Sequence, residues 1–121
     1  MIRFKAKVED LMPKAIAYLR SNKVNFNLIT PEKADEVSRV NSKAMVLVSF
    51  IRNENGYYEI QVLDKALYRY TQKLLKDLFR MRITNIDQKT RVITAETDYE
   101  GRALDIIEVL GLKYNLSIVQ K

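Results

Sequence analysis

The stretch MVLVSFIRNENGYYEIQV, residues 45–62, constrains the fold of this chain more than any other segment. Met45 to Ile51 is apolar but for Ser49 and is bounded by polar residues, the pattern of a strand covered on both faces. Asn55-Gly56 follows, a dipeptide that favours the positive φ angles of a tight hairpin turn, and Tyr57 to Val62 is strand-like again. Residues 45–63 therefore read as a β-hairpin whose first strand is central in a sheet. A central strand must be flanked by other strands and covered by helices, so the rest of the chain has to supply both.

Ile2, Phe4, Ala6 and Val8 alternate with Arg3, Lys5 and Lys7, which predicts a strand with one buried face. Asp10 can cap a helix with Pro13 in its first turn and Ala15, Ile16 and Leu19 on its core side. Val24, Phe26 and Leu28 then alternate with Asn25 and Asn27, completing a β-α-β unit. Thr30 and Pro31 mark the start of a short helix. RITNI and RVITAET predict two strands joined by the polar turn DQKT. Thr97 and Glu100 have the spacing of a capping box, Gly111 suits a left-handed helix stop after Leu110, and LKYNLSIV predicts a closing strand. Shifting the first unit by 88 residues sets Ala15 on Ala103 and Leu19 on Ile107, so both β-α-β segments should share a shape.

Taken together, 57–119 reads β-α-β-β-α-β, a ferredoxin-like order, preceded by a β-α-β unit and a hairpin strand. The expected class is α+β: a two-layer sandwich, its sheet antiparallel or mixed, its helices mainly on one face. With 121 residues, only three glycines and two prolines, the chain is expected to form a single domain, 1–121, with little irregular loop. No apolar run reaches membrane-spanning length and MIRFKAKVED lacks a signal-peptide core, so a soluble, cytoplasmic protein is expected.

Cysteine and histidine are both absent. That excludes disulfides, thiol nucleophiles, zinc fingers and imidazole-dependent triads, and no glycine-rich phosphate loop is present. Glu59 and Gln61 share a strand face with Asp64 just beyond, a grouping a magnesium-dependent nuclease could use, but the stretch YEIQV lacks the lysine expected beside such acids. The expectation is a non-enzymatic domain with no catalytic residue, metal or cofactor.

The net charge of +6 has a location. KALYRYTQKLLKDLFRMR, residues 65–82, holds six basic residues against one acid, while the remainder holds 15 basic and 14 acidic residues. On an ideal helix Lys65, Arg69, Lys73, Lys76 and Arg80 occupy an arc of about 80°, opposite Leu67, Tyr70, Leu74, Leu78 and Met81. Tyr68, Leu75 and Phe79 form a third stripe, read as a protein interface. Cations spaced along a helix suit phosphates, so Lys65, Arg69, Lys73, Lys76 and Arg80 are the candidate nucleic-acid contacts, with little sequence readout. The alternative is a protein-interaction or inhibitor module, homodimeric or bound to an acidic protein surface. Asp105 and Glu108 on the last helix are acids that could complement the basic stripe.

Overall fold

The computed structural model describes residues 8–39, 45–64, 68–78, 80–114 and 116–119. The strand expected at the N-terminus therefore lies almost wholly outside the described residues, as do Lys65, Leu67 and Phe79. Strand β1 (Glu9–Asp10) leads into α1 (Met12–Ser21), β2 (Asn27–Ile29) and α2 (Pro31–Arg39). The hairpin β3 (Met45–Arg52) and β4 (Tyr58–Leu63) comes next, then α3 (Tyr68–Lys73), which continues as a π-helical turn over Leu74–Leu78. Strands β5 (Arg82–Asp87) and β6 (Val92–Thr97), helix α4 (Glu100–Lys113) and β7 (Leu116–Val119) complete the α+β fold.

The strands form one mixed sheet in the order β2-β7-β3-β4-β6-β5. β3, β4, β6 and β5 are antiparallel neighbours, whereas β7 runs parallel to both β3 and β2. β4 fills one edge of β3, so β7 and β1 share the other: β7 along Met45–Leu47, β1 at Ile51 and Arg52. The apolar run is thus an interior strand, and Phe50 is fully buried. A contiguous ferredoxin-like unit would set β7 directly against β4, but β3 stands between them. The reason is local. β6 occupies one edge of β4, and the tight turn at 53–57 obliges β3 to take the other.

That turn is built around Asn53, whose side-chain oxygen accepts the backbone N–H groups of Asn55 and Tyr57, each at 3.0 Å. Gly56 alone in the turn has a positive φ, +83°, so Asn55-Gly56 forms not the doubly left-handed turn but a longer loop with one left-handed residue. The β5–β6 connection is similar: the Asp87 carboxylate accepts from the backbones of Lys89 and Thr90, which hold its pKa below the ordinary carboxylate value.

One face of the sheet carries the main core. Ile60 and Val62 of β4 lie opposite Ala95 and Ile93 of β6, and all four are fully buried beneath Ala15 and Leu19 of α1 and Ala103, Ile106, Ile107 and Leu110 of α4. Ala15 with Ala103 and Leu19 with Ile107 are equally buried, as the sequence repeat suggests, but Leu28 is exposed where Leu116 is buried. On β4 and β7 the next residues, Leu63 and Val119, point to the other face, where α2 adds Ala34 to a small second cluster. The arrangement is compatible with a two-layer sandwich, with α2 covering part of the second face.

Helix ends follow the expected chemistry in part. Thr30 caps α2, accepting from the Lys33 backbone at 3.2 Å. Asp10 instead belongs to β1 and accepts from the Met12 backbone at 3.0 Å, while Leu11 holds the N-cap position of α1 without a side-chain bond. The capping box at Thr97 and Glu100 does not form. Thr97 is still the last residue of β6, its hydroxyl accepts the Tyr99 N–H, and Glu100 reaches Lys14 at 2.8 Å. Nor does Gly111 stop α4, which runs on to Lys113.

Candidate functional site

The basic segment is not one uniform helix. α3 changes to π geometry at Leu74, where the wider turn has more residues per revolution and therefore shifts the phase of every later side chain. The π turn ends at Leu78, and Arg80 beyond it takes the left-handed conformation at φ 53°. The Met81 N–H donates to the Leu75 carbonyl at 2.8 Å, a bond spanning six residues, one more than the usual closure of an α-helix. Arg80 is followed at once by β5.

This geometry corrects the three-stripe picture. Leu74 and Met81 are buried, as a core stripe requires, but Tyr70 and Leu78 are exposed, Leu78 by 66%. Leu75 is fully buried and cannot offer a surface to a protein partner. Of its expected companions, Tyr68 lies in α3 and Phe79 outside the described residues. An ideal 100° step misassigns Leu75 and Leu78 because it carries an α-helical phase across a π turn.

Arg69, Lys73, Lys76 and Arg80 are all exposed. Arg69, Gln72, Lys73, Lys76 and Asp77 line a surface concavity of about 340 Å³. The π turn thus leaves three of the cations around one depression, with Asp77 as the acid on its wall. Lys65 lies outside the described residues.

The two ends of α4 meet the basic segment in contrasting ways. At one, the Lys113 ammonium donates to the Tyr70 hydroxyl at 2.9 Å and holds that phenol below its ordinary pKa. The Tyr70 and Tyr114 rings meet edge to face at 6.1 Å between centroids, and burial pushes Tyr114 up to about 12. At the other end Leu78, Arg80, Tyr99, Arg102 and Asp105 line a second concavity, of about 290 Å³. Tyr99 is 63% exposed, and its ring lies over Gly101, where a β-carbon would meet it at 2.9 Å. Arg102 is steadied by the Thr97 hydroxyl at 3.2 Å and by Asp98 at 4.0 Å.

Asp105 and Glu108 do not simply mirror the basic stripe. The Tyr18 hydroxyl of α1 donates to both, at 3.1 and 3.0 Å, and Asn22 adds a bond to Glu108 at 3.3 Å. Burial and these two acceptors push the Tyr18 pKa up to about 12. Asp64 is likewise engaged: it is buried, and the Thr71 hydroxyl of α3 donates to its carboxylate. Glu59 faces Glu96 across the β4–β6 pair, and Glu96 is held by Asn53 at 3.1 Å and Arg82 at 3.7 Å. Among the described residues no group of three or more acids could hold a metal ion, and no helix is long and apolar enough to cross a membrane.

Lys113, which falls within the closing strand LKYNLSIV expected from the sequence, instead ends α4 against Tyr70. The groove at Tyr99 carries no local sequence signal, since its residues come from two segments separated by the whole β5–β6 hairpin. No family model, no curated protein and no solved structure matches this chain.

Proposed function

We propose that this chain is a small, non-enzymatic, cytoplasmic domain that binds nucleic acid through phosphates, using the outer surface of α3 and the π turn, with little sequence readout. The observation that carries the reading is the shared concavity of Arg69, Lys73 and Lys76, followed by exposed Arg80. The three long cations around that concavity repel one another by a few tenths of a kcal/mol per neighbouring pair, a cost that an anionic partner turns into attraction. Most of the protein's net charge belongs to this segment, which favours a local contact over diffuse stickiness.

Binding of a labelled duplex at rising salt tests this. Four phosphate contacts give a log–log slope near −3.6, so affinity should fall by roughly 150-fold between 50 and 200 mM salt. Changing Arg69, Lys73, Lys76 and Arg80 to glutamine together should weaken binding and flatten that slope. No binding at 50 mM salt overturns the reading. The competing possibility, an acidic protein partner or a second copy of the chain, is favoured by exposed Leu78 beside exposed Tyr99, and a dimeric solution mass lost on Leu78→Asp would support it.

A further inference from the structure

We infer that the groove between the π turn and the start of α4 seats one unstacked nucleotide of a single strand, its base on Tyr99 and its phosphate against Arg80 and Arg102. The inference rests on the nucleic-acid reading above and narrows it from nucleic acid in general to single strands. Three observations converge on it.

The first is the shelf. Tyr99 is an aromatic ring with 63% of its surface exposed, yet one side of it is seated on Gly101, where any β-carbon would stand 2.9 Å from the ring. A supported ring with a free face is what a base needs for stacking, and stacking tolerates any base because each has a π-face. Leu78, exposed in the same concavity, supplies apolar surface beside it.

The second is the placing of the cations. Arg80 and Arg102 line the same concavity, and Arg102 is oriented by Thr97 and Asp98. A guanidinium donates a planar pair of hydrogen bonds that fits a phosphate. Asp105 lines the groove as well and accepts from Tyr18. Its carboxylate repels a phosphate track continuing that way, so the seat suits one nucleotide and not a length of duplex.

The third is the backbone at Arg80. A non-glycine residue at φ 53° is disfavoured, and glycine is the usual residue at such a helix stop. Lys23 and Arg91 take the same conformation, and Arg80 does so at the rim of this concavity, beside Arg102, where an arginine stands although glycine would serve folding better.

The test uses the full chain with a short single-stranded oligonucleotide carrying 2-aminopurine and a duplex of equal phosphate number. Wild type should bind the single strand about tenfold tighter and quench the 2-aminopurine. Tyr99→Ala should lose about tenfold on the single strand with its salt slope unchanged and leave the duplex unaffected, while Tyr99→Phe retains binding. Arg80→Gly should weaken the single strand while raising or preserving the thermal midpoint, which separates binding from folding. If single strand and duplex bind at low salt but Tyr99→Ala changes neither, the nucleotide seat is refuted and the basic-helix reading stands. If neither probe binds wild type at 50 mM salt, both readings fail.

Discussion

Gly111 lies so close beneath Val24 that a β-carbon built on it would stand 2.6 Å from the valine Cγ1. The glycine is there to let α4 approach the segment between α1 and β2, with Leu116 on its other side at 3.5 Å. Helix propensity alone would favour Gly111→Ala by about 1 kcal/mol. The added methyl instead meets a short, stiff, buried side chain, and overpacking of this kind costs about 1–3 kcal/mol. Gly111→Ala should therefore lower the urea midpoint, and Val24→Ala in the same chain should recover part of the loss. An alanine variant as stable as wild type would show that the helix can shift freely.

The π turn exchanges the roles of two leucines. Leu75→Ala should cost about 2–5 kcal/mol because the side chain is fully buried, whereas Leu78→Ala should change stability by less than about 0.5 kcal/mol. Chemical denaturation of the two variants reads this directly. The reverse ranking would restore a continuous α-helix through residue 78.

Stability should decline at alkaline pH through two phenols. Tyr18 and Tyr114 are raised from an ordinary 10.0 to about 12 in the folded chain. The folded state thus holds these protons more tightly than the unfolded chain does. Their contribution is complete below pH 10 and is lost as pH rises from 10 to about 12. Unfolding free energies measured across that window should fall less steeply in a Tyr18→Phe, Tyr114→Phe double variant. Equal slopes would sink the assignment.

Thr71 of α3 is fully buried, and its hydroxyl donates to the buried Asp64 carboxylate. Thr71→Val keeps the shape and removes the donor. It should destabilise by about 1–3 kcal/mol, because a buried carboxylate loses a hydrogen bond it cannot replace with water. Thr71→Ser, which keeps the hydroxyl, should cost less than valine; a serine variant less stable than the valine variant would show that the methyl, not the hydroxyl, carries the contribution.

Much of the architecture was legible. The interior position of Met45–Arg52, the hairpin, the turn DQKT, the cap at Thr30 and the α+β class all follow from local chemistry: alternation, turn residues and side chains that satisfy nearby backbone donors. The candidate cations Arg69, Lys73, Lys76 and Arg80 could also be found, because charge placement along a helix is written in the residue order. Their neighbours across the groove could not. Tyr99 and Arg102 reach Leu78 and Arg80 only through the packing of α4 beside α3.

By itself, then, the sequence determined the order and kind of most elements, the segment that carries most of the net charge, and the lack of any thiol or imidazole. Tertiary structure decided the rest where two local preferences claimed one place. The hairpin and a ferredoxin-like β7 both require the same edge of β4, and the short covalent turn wins, so β3 displaces β7. Thr97 has the spacing for a cap, but pairing with Tyr58 keeps it in β6; Gly111 suits a helix stop, but contact with Val24 keeps it inside α4. In each case a local signal worth about 1 kcal/mol yields to hydrogen bonds or close packing supplied by residues distant in sequence.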